Sequence, residues 1–217
     1  MTLGDEMNSW RHNYDLLTYK QQQEFGSDLW KRYPNQSYFN LKAIRSYLSD
    51  INESMMVFEF GGWDGDLANK MLSENLRIKL WHNYDIVPEL KEHTVCYDER
   101  YNCIIPNDFV WKTTISDEFN MFISTHAIEH IKLSNFKELA EKVISRCDWA
   151  ILDIPLKGNG INWDGTGSSH IFEGGWSDVK EIMEKYKFKI IKIDQWKPPN
   201  TAEVSTVVLF KKEGVLG

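Results

Sequence analysis

The chain has 217 residues, enough for one full-sized domain with a substantial core, and an ordinary composition of 42% hydrophobic and 26% charged residues. Its net charge of −7, with no cluster of lysine and arginine, argues against tight nucleic-acid binding, which rests on phosphate neutralisation. No apolar run approaches the ~20 residues of a membrane span, the polar start "MTLGDEMNSWRHNYD" does not read as a signal peptide, and Cys96, Cys103 and Cys147 form no CxxC pair, so reduced thiols in a cytoplasmic protein are expected.

Residues 1–50 read as a polar, helical N-terminal cap. "YDLLTYKQQQEFGSDLWKRY" has apolar residues at roughly helical spacing, with Pro34 as its breaker, and "SYFNLKAIRSYLSD" is a second amphipathic helix ending near Asp50. From residue 55 strands and helices alternate. "MMVFEF" is a strand, "DLANKMLSEN" a helix, "RIKLWHNYDIV" a strand, and "VPELKEHTVCYDERY" a partly helical, poorly periodic stretch. "FNMFIST" is a short buried strand, "HAIEHIKLSNFKELAEKVISRC" a helix and "DWAILDIPL" a strand. The loop 156–175, rich in Gly, Asn and Ser, reads either as a lid or as a surface excursion. "WSDVKEIMEKY" is a helix, and "FKIIKIDQW" and "EVSTVVLFKK" are closing strands. The "KPPNTA" between them is too short for a crossover helix, so they should pair antiparallel. The expectation is a doubly wound α/β sheet of seven strands, the six named and one not placed by pattern, mostly parallel, in a single compact unit over 51–217.

The stretch after the first strand is rich in turn chemistry: Glu59-Phe60-Gly61-Gly62-Trp63-Asp64-Gly65. Ligands of open α/β sheets bind at the carboxyl ends of the strands, glycines there let a ligand approach the backbone, and the following helix presents free N–H groups. The dinucleotide fingerprint GxGxxG is not matched and no GK[ST] follows, which disfavours a nicotinamide cofactor and excludes a P-loop.

"EFGGWDG" resembles motif I of the class I S-adenosylmethionine (SAM)-dependent methyltransferases, an acidic residue followed by GxGxG on a Rossmann-like fold, with Trp63 in place of the middle glycine. The resemblance continues over roughly 55–212. It implies Glu59, Gly61, Gly62, Trp63 and Gly65 around the cofactor, Asp85 and Ile86 at its ribose, Asp108 and Phe109 at its adenine, and Ser124 at the end of the fourth strand. An acceptor-only carboxylate such as Asp85 suits two ribose hydroxyls.

His126, Glu129 and His130 have the spacing of one helix face, and His170 lies in the long loop that should overhang the same edge. Three readings stay open. One of His126, His130 and His170 is a general base for the acceptor's proton; or His126, Glu129, His130 and His170 hold a divalent metal ion that acidifies the acceptor; or "EHI" caps and packs its helix. The metal set resembles the ExxEH site of small-RNA 3′-end 2′-O-methyltransferases and of ubiquinone-pathway O-methyltransferases, with His126 standing where the first Glu is expected. The resemblance implies a SAM-dependent methyltransferase acting on a small polar metabolite, a sugar or phosphorylated intermediate, at oxygen. The alternatives are a nucleotide or RNA 2′-O-methyltransferase and a catalytically silent SAM-binding module. Partners are expected to be small molecules, with no membrane and no long nucleic acid; the sequence leaves the oligomeric state undetermined.

Overall fold

The computed structural model describes residues 34–85, 90–106, 110, 115, 118–157, 160–161, 172–197 and 203–214. Its elements are α1 (Pro34–Asp50), β1 (Met55–Phe60), α2 (Asp66–Glu74), β2 (Ile78–Tyr84), α3 (Leu90–His93), β3 (Tyr101–Ile104), β4 (Met121–Thr125), α4 (Leu133–Lys142), β5 (Trp149–Lys157), β6 (Gly160–Ile161), α5 (Trp176–Lys185), β7 (Phe188–Trp196) and β8 (Glu203–Lys212). The strand order is β3-β2-β1-β4-β5-β8-β7, with the short β6 paired to β5. β1 to β5 run parallel, and β8 is antiparallel to both β5 and β7.

Period-two alternation feeds two separate cores. Ala150, Leu152 and Ile154 of β5, with Val208 and Phe210 of β8 and Phe58 of β1, face α4 and α5. Trp149 and Ile151, with Val207, Leu209, Met55 and Val57, join the cluster that contains α1 and α2. Each covering helix supplies a stripe at i, i+3, i+4: Ala68, Met71 and Leu72 in α2, Phe136, Leu139 and Ala140 in α4, and Val179, Ile182 and Met183 in α5. Because both faces of the central strands are covered, they read as near-continuous apolar runs.

Pro34 opens α1, where a proline costs no hydrogen bond, rather than only ending what precedes it. α1 buries Ala43, Ile44, Tyr47 and Leu48 and is fastened to the antiparallel end of the sheet. The Tyr47 hydroxyl donates to Asp194 Oδ2 at 2.6 Å and lies 3.1 Å from the Val207 carbonyl. Burial and the Asp194 carboxylate push its pKa well above the usual tyrosine value. Replacing Tyr47 with Phe removes a charge-assisted hydrogen bond, and a loss of about 1.5–3 kcal/mol is expected from the shift in the denaturant midpoint. β7 is one of the two edge strands. It exposes Ile190, Ile191 and Ile193, and Lys189, Lys192, Asp194 and a register shift between Ile190 and Lys192 blunt that edge.

Two expectations are corrected. The segment beginning "HAIEH" is not one helix: His126 has φ 48°, Ile128–His130 is a single 3₁₀ turn, and α4 starts only at Leu133. The strand β3, four residues with an exposed Asn102, is not among the predicted strands; it begins at Tyr101, where the stretch read as poorly periodic ends. Most of the long loop, and the first predicted helix, lie outside the described residues.

Candidate cofactor and acceptor site

β1 delivers the chain to the carboxyl edge of the sheet at Phe60, where the glycine loop begins. Its backbone is left-handed at every second position: Gly61 φ 70°, Trp63 φ 52° and Gly65 φ 83°. The fold therefore imposes on Trp63 the conformation that the expected middle glycine would adopt freely, at a cost of about 1–2 kcal/mol.

The end of β2 holds it there. Gly61 N donates to the Tyr84 carbonyl at 2.9 Å, Gly62 N to Asn83 Oδ1 at 2.9 Å, and Trp63 N to Asp85 Oδ2 at 3.0 Å. Asn83 Nδ2 returns a hydrogen bond to the Trp63 carbonyl at 2.8 Å. Three consecutive loop N–H groups are thus engaged by β2 and its following residue. A phosphate-binding loop needs such groups directed at its anion, and here the N–H groups of residues 61–63 are turned to β2 and Asp85 instead.

Asn83, fully buried, is the pivot that sequence reasoning missed. The signal that marks it is a buried amide inside an apolar strand, since such a group must have partners. Tyr101 of β3 closes the other side: its hydroxyl is 3.2 Å from Asn83 Nδ2, and a Cβ on Gly65 would lie 2.6 Å from it.

Glu59 lies beneath the loop, fully buried, accepting from Trp81 Nε1 at 2.7 Å. A Cβ on Gly62 would overlap its carboxyl group. Burial pushes the Glu59 pKa up to about 8; the Trp81 hydrogen bond opposes this, and the charges of Asp85 and Asp64 add to it. At the end of β4, Ser124 is buried and its hydroxyl has no hydrogen-bond partner among the described residues. An orphaned buried hydroxyl beside the glycine loop suits a polar ligand.

The other side of the candidate site is the turn after β4. Ala127 touches the glycine loop, since a Cβ on Gly61 would overlap the Ala127 methyl group. His126 Nδ1 is 3.4 Å from Glu129 Oε1, and its Nε2 is 3.5 Å from Asp153 Oδ2 and 3.3 Å from Asn40 Nδ2. Asn40 Nδ2 also donates to Asp153 Oδ2 at 2.6 Å, and Ser205 Oγ to Asn40 Oδ1 at 2.9 Å. Burial raises the Asp153 pKa to about 6; the His126 charge and the hydrogen bonds from Ser205 and Asn40 pull it down, and the Glu129 charge adds to the rise.

Of the predicted residues, the described part of the structure gathers Glu59, Gly61, Gly62, Trp63, Gly65, Asp85, Ser124, His126 and Glu129 at the carboxyl edge of β1, β2 and β4. His130 ends the 3₁₀ turn, its backbone N–H donating to the Ala127 carbonyl at 3.1 Å. Ile86, Asp108, Phe109 and His170 lie outside the described residues. The metal set does not assemble as expected. The helix that would align His126, Glu129 and His130 is absent, Glu129 is 1% exposed and turned to His126, and no group of three His, Cys, Asp or Glu among the described residues is placed to hold a metal ion. Asn40, Asp153 and Ser205 were not in the sequence reading; they come from three elements far apart in the chain.

No protein-family model and no curated protein sequence matches the chain. Solved structures match it in fold. It is similar to magnesium protoporphyrin IX methyltransferase from Synechocystis PCC 6803 with bound SAM, at TM-score 0.63 and 14% identity over 95% of this chain and 91% of that one. It is also similar to the N-methyltransferase NodS from Bradyrhizobium japonicum WM9 in complex with S-adenosylhomocysteine (SAH), at TM-score 0.59 and 10% identity over 84% and 86%. A third is the methyltransferase domain of bacterial CtHen1, at TM-score 0.58 and 14% identity over 82% and 98%. The α/β fold is that of the class I methyltransferases.

Proposed function

We propose that the protein is a SAM-dependent methyltransferase that methylates an oxygen of a small polar metabolite, a sugar or phosphorylated intermediate. The observation that carries this reading is the loop 61–65, left-handed at alternate residues and strapped to Asn83 and Asp85 at the carboxyl edge of a β3-β2-β1-β4-β5-β8-β7 sheet. In this reading Gly61, Gly62, Trp63 and Gly65 form the cradle of the cofactor and Glu59 supports it from below. Asp85 and Ile86 hold its ribose, Asp108 and Phe109 its adenine, and Ser124 lies beside them. SAM supplies an electrophilic methyl group when bound, so the protein's task is placement of the acceptor and removal of its proton.

His126 is the side chain proposed to meet the acceptor, with His130 and His170 as further candidates. The half-exposed His126, backed by the buried Asn40, Asp153 and Ser205, suits a hydroxylated metabolite. The net charge of −7 weighs against a nucleic-acid partner. Among the described residues no helix is long and apolar enough to cross a membrane, and the three cysteines form no disulfide; a cytoplasmic setting is proposed on the same chemistry.

Titration calorimetry with SAM and SAH tests the reading, and absence of binding to both overturns it. Asp85→Ala, which removes a carboxylate expected to accept from two hydroxyls and which also anchors the loop, is expected to weaken SAH binding roughly ten- to hundredfold, the equivalent of about 1.5–3 kcal/mol.

A further inference from the structure

We propose that Glu59 is a specificity-determining residue that separates the sulfonium cation of SAM from the neutral thioether of SAH. It loses a proton to solvent when the cation occupies the glycine loop and regains one when the thioether stands there. This rests on the methyltransferase reading. The first observation is an incompletely bonded, buried acid pressed against the loop. Glu59 is 0% exposed. Its Oε2 accepts from Trp81 Nε1 at 2.7 Å, and its Oε1 has no hydrogen-bond partner among the described residues. A Cβ on Gly62 would lie 2.2 Å from the Glu59 carboxyl carbon, so the carboxyl group sits directly against the loop backbone.

The second observation is the charge around that acid. Burial is the chief obstacle to ionising Glu59; the Trp81 hydrogen bond opposes it, and the charges of Asp85, after β2, and Asp64, in the loop, add to it. Cys96, ahead of β3, and Tyr101 and Cys103 of β3 also interact with the Glu59 charge. Burial raises the pKa of all three, so they are neutral near pH 7. The basic groups on this side are engaged elsewhere: Lys70 is paired with Asp66, and Arg100 with Asp98. A buried carboxyl group with a single neutral donor and no cation beside it keeps its proton.

A cation held on the loop reverses that balance, because an opposite charge nearby favours the ionised form. The O–H bond of the carboxyl group breaks, its electron pair stays on Glu59, and the proton leaves to solvent. The site thus exchanges one positive charge for another. When the sulfur over the loop is uncharged, Glu59 takes a proton back and the attraction is lost. Below about pH 8 the free protein must give up this proton before it gains the attraction. Affinity for SAM relative to SAH therefore rises with pH through that range. The same exchange favours replacement of spent cofactor by fresh.

The test is titration calorimetry of the full-length protein at pH 7 with SAM and with SAH, each in phosphate and in Tris. The two buffers differ in ionisation heat, so the difference in observed enthalpy counts the protons released. The wild type is expected to release about half a proton more with SAM than with SAH, and Glu59→Gln to abolish the excess. Equal counts for the two ligands in the wild type overturn the inference, and so does an excess that survives in Glu59→Gln. A second measurement needs no variant: the ratio of the SAH Kd to the SAM Kd is expected to rise roughly tenfold between pH 6 and pH 8.5, and a flat ratio overturns the inference. Binding with equal proton counts overturns only this role of Glu59, whereas absence of binding to both ligands overturns the methyltransferase reading and this role with it.

Discussion

Gly61→Ala is expected to destabilise the protein by about 2–5 kcal/mol and to lower SAH affinity at least tenfold. Two physical effects add. At φ 70° an alanine is left-handed and loses about 1–2 kcal/mol. Its Cβ would also overlap the Ala127 methyl group, and forcing an extra carbon into a packed site costs about 1–3 kcal/mol. Neither partner has a flexible side chain that can swing away, so the backbone of the loop or of the His126 turn must move. The two halves of the site touch at this contact, and the substitution should perturb both. Gly214→Ala is the control: at φ 85°, with nothing within 4 Å of its Cβ, it carries the strain without the overlap. Denaturant midpoints should separate the two variants by more than 1 kcal/mol, on the order of the overpacking cost; equal losses would show that Ala127 does not restrain the loop.

Glu59→Gln is expected to remove a steep pH dependence of stability. The folded carboxyl keeps its proton up to about pH 8, whereas the unfolded chain releases it near pH 4.5. Below the unfolded value both states are protonated and the stabilisation is fully present. Between the two values the unfolded state gains by ionising, so stability falls as pH rises, and above the folded value the loss is complete. At about 1.4 kcal/mol per pH unit the loss is several kcal/mol. Glutamine mimics the neutral acid and accepts from Trp81 in the same way, but it does not ionise in either state. Urea unfolding at pH 5, 6.5 and 8 should therefore show wild-type stability falling relative to the variant. Parallel curves would mean that Glu59 is already ionised beneath the loop.

Much of the fold was legible because its elements carry strong local signals. β7 and β8 were read at the bounds they adopt, and α5 and β5 to within a residue at each end, since apolar periodicity and the short connection between the last strands leave few alternatives. β3 was not legible: four residues with an exposed asparagine carry no periodicity, and its pairing with β2 defines it. The helix expected from "HAIEH" failed for a tertiary reason. The turn must pass Ala127 under Gly61 and send the His126 N–H to Asp153, and a helix started at residue 126 cannot meet both demands.

The sequence alone determined the doubly wound α/β class and the position of the glycine loop, because both follow from local patterns of strands, helices and turn residues; Glu59, Asp85 and Ser124 came from the family resemblance, and His126 from its spacing with Glu129 and His130. Only the tertiary structure decided that Asn83 clamps the loop and that Asn40 and Asp153, both bonded to Ser205, meet His126. Those partners are separated by 52 to 165 residues where Ser205 is concerned and by 113 between Asn40 and Asp153. No local pattern encodes such meetings; they exist because parallel strand pairing and the packing of α1 bring distant backbones to one edge of the sheet.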